Sequence, residues 1–503
     1  MKNSVLFVND SDKKTNFQSL SGKWTCIEHP VWSLLLAEAC RKNGYGVSIF
    51  DNDAEQLDSE KAIEKIVEIN PSLVCFVVYG SNPQAGICGM EGNIKLAQKL
   101  RREFPQYKIA FIGTYPSALP IDTLSYTCID FVMVGDGFYA LRDLLSTDFS
   151  YEQIKSIAGL GYKDQFGLCH TNNGCVVKNL DEELPGYAWD LLPNKNLYRS
   201  HIWHGEFQDK YRSPSAAIYT SLGCSFVCSF CNINSINRIN FDGDKSAADF
   251  AGMRFWSPEK VLSWFKTLVE DFGVTTIRVN DEMFFLNRKY YIPILEGLIS
   301  RGYGEKIKLW FYSRIDTCRK DQLELFKKAG TNFLALGIES ANQTIRQEID
   351  KGRFQEINIR DVVKNIRNAG INTIGNYIYG FPNDNWETMQ QTLNLALELN
   401  TEMYNGYYCQ NLPGSPLYLE AKRNNWELPT SFSEWSFHSY DAKPTKTNFI
   451  SSADLVAFRD YAWQTYMKNP AYHALVKSKF GEEALSNIKE MASVPLKRKI
   501  LGD

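Results

Sequence analysis

The sequence lacks the features that mark membrane, secreted and nucleic-acid-binding proteins. No run of 18 apolar residues occurs in its 503 residues, so no membrane-spanning helix is predicted. Met1 to Ser4 lead directly into the strand-like Val5 to Val8, where a signal peptide would have its apolar core. A formal net charge of −3 offers no general attraction to nucleic acid or to an anionic membrane. We therefore expect a cytoplasmic, monomeric globular enzyme with a small-molecule substrate, and no nucleic-acid partner.

The chain also lacks a disulfide framework. Nine of its twelve cysteines follow no regular spacing, and several lie in apolar or mixed runs typical of buried, reduced thiols, such as Cys40, Cys75 and Cys128. The other three fall within eight residues as C-x3-C-x2-C, after the β-rich run Ala216 to Thr220; they are Cys224, Cys228 and Cys231. Because three cysteines this close cannot pair cleanly, they are predicted to wrap one metal centre.

A fourth ligand for that centre is also missing from the nearby sequence. No cysteine or histidine occurs between Cys231 and Cys318, whereas a structural zinc site needs four ligands. A four-iron cluster normally takes four cysteines, so three would leave one iron open to an exogenous ligand. A zinc loop or a chance grouping of core thiols is the alternative interpretation.

This motif resembles the signature of the radical S-adenosylmethionine (SAM) enzymes. The resemblance implies that the amino and carboxylate groups of SAM bind the open iron of a 4Fe-4S cluster. It also implies reductive cleavage of SAM to methionine and a 5′-deoxyadenosyl radical, with electrons from an external donor of the flavodoxin or ferredoxin type. Cys224, Cys228 and Cys231 would be the cluster ligands.

The first 150 residues alternate strand-like runs with helical stretches. Five predicted strands and their crossover helices indicate a doubly wound parallel sheet, in which ligands bind at the carboxyl ends of the strands; the strands are Val5 to Val8, Val47 to Phe50, Leu73 to Val78, Ile109 to Ile112 and Phe131 to Val134. Small residues in the loops after these strands would let the backbone approach a ligand closely. Residues 152 to 171 are predicted to form a short β-hairpin or meander.

The runs Phe111 to Pro120 and Asp130 to Gly137, and the later Leu184 to Pro193, resemble the cobalamin-binding domain that precedes many radical SAM domains. The resemblance implies a Rossmann-like domain in which cobalamin contacts Tyr79, Ser81, Gly113, Thr114 and Gly135. Histidine is scarce, with six in the chain and none between His29 and His170, and the cobalt-binding motif Asp-x-His-x-x-Gly is absent. The lower face of the corrin is therefore not expected to be held by a motif histidine. A merely structural Rossmann-like domain is the alternative.

From Ala216 the alternation resumes with six strands and longer helices, which predicts a partial (β/α)6 barrel with its active site at the carboxyl ends of the strands. Polar residues occur at those positions. SAM presents an ammonium, a carboxylate and a ribose diol, which carboxylates and a guanidinium can bind. The resemblance to the family implies that the SAM amine faces Asp281 and Glu282. It also implies that the ribose binds Glu339 and that the stretch Gly375 to Pro382 surrounds the adenine. The predicted SAM-binding residues are Asp281, Glu282, Ser313, Arg314, Glu339, Gly375 and Tyr379.

Each of these residues also has a structural alternative. Asp281 or Glu282 could be an acid at the start of a helix, Arg314 could pair with Asp316 on the surface, and Glu339 could cap a helix. The predicted division is a cobalamin-binding Rossmann-like domain at 1–150, a linker region at 151–205, the radical SAM barrel at 206–410 and a small, mainly helical cap at 411–503. Lys351-Gly352 and the run Pro413 to Tyr418 also resemble segments of the cobalamin-dependent branch.

Together these resemblances predict a cobalamin-dependent radical SAM methyltransferase. Its cofactors would be a 4Fe-4S cluster, SAM and cobalamin, and it would move a methyl group from methylcobalamin to an unactivated carbon of a natural-product or cofactor-type molecule. One alternative is a radical SAM cyclase, oxidase or rearrangement enzyme that uses cobalamin otherwise or not at all. Another is a non-catalytic sensor that binds a cluster or cobalamin.

Overall fold

The computed structural model describes residues 3–80, 82–240, 243–349 and 357–503. Its N-terminal part is a seven-stranded sheet of order β2-β1-β3-β4-β5-β6-β7. The strands are β1 Ser4–Asn9, β2 Gly46–Asp51, β3 Leu73–Val78, β4 Lys108–Gly113, β5 Phe131–Met133, β6 Leu160–Lys163 and β7 Cys169–Thr171. The first five are parallel, as predicted, and the predicted hairpin extends the sheet with two antiparallel strands.

Helices cover this sheet, and β3, at the centre of its five parallel strands, is buried along its whole length. The sequence of β3, Leu-Val-Cys-Phe-Val-Val, is continuously apolar because a parallel sheet is covered on both faces. The helices of this part are α1 Lys13–Phe17, α2 Val31–Lys42, α3 Asn52–Glu55, α4 Ser59–Ile69, α5 Pro83–Cys88, α6 Met90–Glu103, α7 Thr114–Ala118, α8 Pro120–Leu124, α9 Phe138–Leu145, α10 Tyr151–Ile154 and α11 Leu180–Glu183.

The second part contains a two-stranded antiparallel ribbon and a six-stranded parallel sheet of order β15-β14-β13-β12-β11-β8. This sheet is the predicted partial barrel, whereas the ribbon of β9 and β10 was not predicted. The strands are β8 Ser215–Ile218, β9 Ser221–Cys224, β10 Gly252–Phe255, β11 Thr276–Val279, β12 Lys308–Arg314, β13 Thr331–Glu339, β14 Asn372–Tyr379 and β15 Met403–Tyr408.

The helices of the second part follow the start and stop signals of the sequence. The Ser257 hydroxyl accepts a hydrogen bond from the Lys260 amide at the start of α12, and Pro258 occupies the first helical position. The helix α12 ends at Lys266, and a π-helical turn at Thr267–Asp271 follows it. The helices are α12 Pro258–Lys266, α13 Arg288–Ser300, α14 Leu323–Lys328, α15 Gln343–Glu348, α16 Ile359–Asn368, α17 Trp386–Leu399, α18 Pro416–Arg423, α19 Ser452–Met467 and α20 Pro470–Ser493.

A buried ion pair joins the two parts. Arg254 on β10 donates to Asp136 at 2.5 Å, and the Asp136 side chain is 0% exposed. Arg254 also donates to the carbonyl of Val177 and to the side chain of Asn237, so it links three segments. The position of the N-terminal sheet relative to the barrel is therefore held by charge as well as by apolar packing.

Two further predictions concern membrane-spanning helices and the helical C-terminal part. In the part of the chain that the structure describes, no helix combines the length and the apolar character needed to cross a bilayer. The last 90 or so residues contain α18, α19 and α20, and α20 is kinked at Gly481, where φ is +89°. The exact domain boundaries stay a prediction.

Candidate active site

A cavity of about 860 Å³ lies between the two sheets. One wall is formed by the loops after β1, β2 and β3, and the other by residues of β11 to β15. The carboxyl ends of strands from both parts therefore meet at one space, as the sequence predicts for each sheet separately. Segments of the C-terminal part, including Trp463 and Met491, complete the wall.

Cys224, Cys228 and Cys231 all line this cavity. Cys224 is the last residue of β9, which pairs with β10 so that Gly252 lies opposite it. Gly223 has φ of +83°, and a Cβ atom there would lie well inside van der Waals contact with the Gly252 carbonyl oxygen. The residue before the first cysteine must therefore be glycine for the ribbon to form.

The cysteine loop is anchored by hydrogen bonds at both ends. The Cys224 amide donates to Asn234 Oδ1 at 2.8 Å, and the Phe226 amide donates to Cys224 Sγ at 3.5 Å. Farther along, Asn232 Nδ2 donates to the Pro413 carbonyl, and the Leu417 amide donates to the Ser229 carbonyl. The run Pro413 to Tyr418, singled out in the sequence, thus lies against the loop and holds it.

The adjacent acids Asp281 and Glu282 lie in different environments. Glu282 lines the cavity, as predicted. Asp281 does not, because its carboxylate accepts hydrogen bonds from the Thr220 amide, the Thr220 hydroxyl and the Ser221 hydroxyl at 2.5–2.7 Å. These bonds fix the turn between β8 and β9, which leads into the cysteine loop, and the contact of Asp281 with SAM stays a prediction.

Ser313, Arg314 and Glu339 line the cavity, in agreement with their predicted position. Arg314 forms two 2.8 Å hydrogen bonds with the carboxylate of Asp316, and its guanidinium lies 3.8 Å from the ring centre of Phe226 in the cysteine loop. The alternative pairing with Asp316 is thus real, but it occurs inside the site and not on the surface. Glu339 has φ of +63°, an uncommon conformation that is typical of functional positions.

Gly375 and Tyr379 do not line the cavity, and their contact with adenine stays a prediction. Side chains alternate between the two faces of a strand, and the residues of β14 that reach the cavity are Asn376 and Ile378. Tyr379 points into the core behind the sheet, where its hydroxyl lies 2.8 Å from that of Tyr404. A Cβ at Gly375 would meet the ring of Tyr377, not open space.

On the N-terminal side, Tyr79 lines the cavity, stacks on Trp32 with ring centres 4.2 Å apart, and donates a hydrogen bond to the Gly135 carbonyl. Gly113, Thr114 and Gly135 lie outside the cavity. Gly135 packs against the Arg238 carbonyl and Gly113 against the Val78 carbonyl, since a Cβ at either position would collide with those oxygens. Their role in cofactor binding stays a prediction. Ser81 and Lys351-Gly352 lie outside the described residues.

Sequence reasoning missed several charged residues that the fold brings to the cavity. Asp51 is the last residue of β2 and Asp53 comes after it, and both line the cavity together with Asp10 after β1. Burial raises the pKa of Asp10 to about 6 and that of Asp51 to about 7, and the Asp53 carboxylate adds to both shifts. Their place just after a strand was the available signal. A second group, Cys26, Glu28, His201 and Arg278, carried no local signal at all.

Two family models match the chain. The Radical SAM superfamily model matches residues 218–396, which include the three cysteines, and the B12 binding domain model matches residues 22–145. The chain carries a radical SAM domain and a B12-binding domain. The predicted fold class is confirmed.

Relatives of this radical SAM enzyme are distant in sequence. An uncharacterised methyltransferase, PH0819, of Pyrococcus horikoshii is 28% identical over 61% of each chain. An anaerobic magnesium-protoporphyrin IX monomethyl ester cyclase of Cereibacter sphaeroides is 24% identical over 90% of this chain and 69% of its own length. The chain thus spans about three fifths to two thirds of these relatives.

A solved structure shows the same architecture. The radical SAM methyltransferase TsrM of Kitasatospora setae, with cobalamin and a [4Fe-4S] cluster bound, matches with a TM-score of 0.66 at 15% identity. The match covers 98% of this chain and 100% of that one. At this identity the likeness concerns the fold.

The cofactors of these two domains are a 4Fe-4S cluster, SAM and cobalamin, and the residues present fit them. The three cysteines lie on one loop and all line the cavity. Three thiolates would leave one iron of a four-iron cluster open to SAM. Burial, with the neighbouring Cys228 and Glu282, raises the pKa of the Cys231 thiol.

The residues also fit SAM and cobalamin. Glu282, Arg314 and Glu339 provide two carboxylates and a guanidinium beside the cysteines. On the side of the B12-binding domain, the cavity reaches the ends of β1, β2 and β3. There, among the described residues, the buried Nδ1 atom of His29 has no hydrogen-bond partner and could accept one from a bound molecule.

Proposed function

We propose that this enzyme is a cobalamin-dependent methyltransferase that transfers a methyl group to an unactivated carbon of a small molecule. The observation that carries the proposal is the continuity of the cavity from the three cysteines to the strand ends of the B12-binding domain. A radical formed at one end and a methyl group held at the other could therefore reach the same substrate. When bound, the cluster and SAM would supply a hydrogen-abstracting radical, and cobalamin would supply the methyl group.

The chain's own residues have binding and positioning tasks. Cys224, Cys228 and Cys231 would hold iron, and the loop's hydrogen bonds to the Pro413–Leu417 segment keep their spacing. Arg314, oriented by its two bonds to Asp316, can bind a carboxylate while it rests on the Phe226 ring. Apolar and aromatic walls exclude water, which a radical reaction requires.

The substrate class is also a proposal. Aromatic side chains line much of the cavity, which favours a bulky, partly apolar molecule of the natural-product or cofactor type; they include Trp24, Trp203, Trp310, Tyr312, Tyr407 and Trp463. In TsrM the substrate is tryptophan, itself a small aromatic molecule. We further propose an external electron donor of the flavodoxin or ferredoxin type, a monomeric state and a cytoplasmic location.

A second candidate is a radical SAM cyclase. The observation in its favour is the match to the anaerobic magnesium-protoporphyrin IX monomethyl ester cyclase, which covers 90% of this chain. Such an enzyme consumes SAM only as a radical source. Methyl transfer in addition uses the methyl group of a second SAM, so the fate of that group separates the two functions.

The test needs no knowledge of the substrate. Full-length protein is purified without oxygen in the presence of hydroxocobalamin, analysed for iron and cobalt, reduced, and mixed with SAM carrying a labelled methyl group. A methyltransferase is expected to form 5′-deoxyadenosine and also to move label into the corrinoid, with S-adenosylhomocysteine as the second product. Deoxyadenosine without label in the corrinoid would contradict the proposal and favour the cyclase.

Two variants control the experiment. Cys228→Ala should bind little iron and form no deoxyadenosine, because one cluster ligand is lost. Cys175→Ala changes an exposed cysteine outside the cavity and should retain both activities.

A further inference from the structure

A second group of metal-binding side chains lies in the same cavity, away from the three cluster cysteines. Cys26, Glu28 and His201 each offer a ligand atom, and these atoms all lie within 4.8 Å of one another. All three residues line the cavity. Among the described residues no other group of this kind is found.

The backbone brings these residues together from distant parts of the sequence. Ile27 forms an isolated antiparallel bridge with Arg199, with amide-to-carbonyl distances of 3.0 and 2.9 Å. Ile27 is buried, and in an extended segment its neighbours Cys26 and Glu28 point to the opposite side. The bridge also places His201, two residues after Arg199, next to them.

The distances suit a zinc ion. Cys26 Sγ lies 3.2 Å from His201 Nε2, and His201 Nε2 lies 4.0 Å from Glu28 Oε1. A tetrahedral zinc ion has bonds of about 2.3 Å to sulfur and 2.0–2.1 Å to nitrogen. A sulfur and a nitrogen ligand of the same ion would therefore be about 3.5 Å apart. Only small shifts of the side chains are needed to admit the ion.

Neighbouring side chains orient two of the three ligands. Arg278 donates a 2.5 Å hydrogen bond to Glu28, and a carboxylate can accept several bonds, so this contact leaves room for a metal. The imidazole of His201 stacks on Trp203 with ring centres 4.4 Å apart and an angle of 11°. Such supporting contacts are usual around metal ligands.

The ligand types also suit zinc. Imidazole nitrogen, thiolate sulfur and carboxylate oxygen are the atoms that bind zinc in proteins, and a thiol releases its proton when the ion binds.

We propose that Cys26, Glu28 and His201 form a zinc site with three protein ligands and a fourth position open to the cavity. Zinc sites of this open type bind a water molecule or a substrate atom at the fourth position. The site stands on its own ligands and does not depend on the proposed methyl transfer.

Metal content of the full-length protein tests the site. Protein with a reconstituted iron-sulfur cluster is dialysed against Zn²⁺, and zinc and iron are measured together. We expect about one zinc per chain in addition to the cluster iron, as a single site of this type requires. Loss of a residue that supports a metal ligand typically lowers metal affinity about 10–100-fold. Cys26→Ser and His201→Gln each remove a ligand itself, so each should reduce zinc affinity by more than that.

The matched control is Cys409→Ser, which changes another cysteine that lines the cavity, outside the proposed site, and should retain the zinc.

Co²⁺ added to a chain with all three cluster cysteines replaced provides a second readout. Tetrahedral cobalt(II) bound by a thiolate has visible and near-ultraviolet bands, and here those bands should depend on Cys26. Thermal unfolding of each variant distinguishes loss of the site from loss of the fold. Absence of bound zinc, or zinc that persists in folded Cys26→Ser protein, would overturn the proposal and leave these residues a hydrogen-bond network.

Discussion

Asp281 and Glu282 are neighbours in sequence, but only one of them reaches the cavity. Glu282 faces the space beside the cysteines, while Asp281 accepts three hydrogen bonds from Thr220 and Ser221 and is 1% exposed. A buried carboxylate with this many donors is a structural anchor. At the scale of single residues, polarity at a strand end therefore identifies the region of the site but not which side chain acts.

Replacing Asp281 tests that role. Asp281→Ala should lower the free energy of unfolding by about 2–3 kcal/mol, because the Thr220 amide is left buried without an acceptor. Asp281→Asn should cost less, since its oxygen can still accept from the amide while the two hydroxyls rotate. Denaturant unfolding measures both. Equal stability of the alanine variant and the unaltered protein would contradict the assignment.

The same variants predict a pH dependence. Burial raises the pKa of Asp281 from 3.8 to about 6, so the folded chain holds this proton more tightly than the unfolded chain. The contribution of Asp281 to stability is therefore greatest below pH 4 and falls by about 3 kcal/mol as the pH rises to 6. Asp281→Asn lacks this fall, so the stability difference between the two proteins should shrink over that window. A constant difference would argue against the raised pKa.

Tyr379 and Asn376 offer a test of which face of β14 meets the ligand. Tyr379→Phe removes a buried hydroxyl contact with Tyr404 and should cost about 1 kcal/mol of stability, without changing SAM binding. Asn376→Ala, on the cavity face, should weaken SAM or substrate binding. Unfolding and equilibrium binding of SAM to reconstituted protein measure the two effects. A Tyr379→Phe protein that binds SAM more weakly at unchanged stability would support the original prediction for Tyr379.

At the scale of elements, the cysteine loop depends on a ribbon that the sequence did not reveal. β9 and β10 pair over four residues each, and β9 ends at Cys224. Residues far along the chain, in the segment Pro413 to Leu417, complete the support of the loop. The loop that carries the three thiols is thus held by the ribbon and by a segment distant in sequence, which explains how a short loop keeps its shape.

Two glycines of the ribbon should respond differently to the same change. Gly223→Ala introduces a Cβ at φ +83° against the Gly252 carbonyl, so it should distort β9 and reduce iron incorporation at the cluster. Gly252→Ala is the control, because a Cβ there has no atom within 4 Å. Iron and sulfide analysis after anaerobic reconstitution gives the comparison. Similar iron contents in both variants would show that the ribbon does not control the loop.

At the scale of the whole molecule, the cavity exists because the two parts are fixed to each other. Asp136 lies between two glycines, in a run that resembles cobalamin-binding domains, but its carboxylate binds Arg254 of the barrel ribbon and the Val177 amide. Gly135, beside it, allows the backbone near Arg238 to come close. This run therefore contributes to the junction between the B12-binding domain and the cysteine loop.

A double-mutant cycle measures that junction. Asp136→Asn and Arg254→Ala should each destabilise the protein by about 3–5 kcal/mol, because each leaves a buried group without its partner. The double variant should be less destabilised than the sum of the two, since the lost interaction is counted once. Strict additivity would show that the pair does not couple the two parts.

The sequence by itself determined the class of this protein. The spacing of Cys224, Cys228 and Cys231 and the alternation of strands and helices are local patterns, and local patterns are set by neighbouring residues. The same patterns located Glu282, Arg314 and Glu339 at strand ends. Only the tertiary structure decided that Tyr379 faces away from the cavity, because a shift of one residue along a strand reverses the side that a residue faces. It also decided that Asp281, just after β11, bonds to Thr220 and Ser221.

Tertiary structure alone also brought Cys26 next to His201, 175 residues later in the chain. The contact arises from the Ile27–Arg199 bridge, which forms between two segments without regular secondary structure of their own. Neither segment carries a spacing that would announce a shared site. Such contacts depend on how the whole chain packs, and for that physical reason no local pattern in the sequence could reveal them.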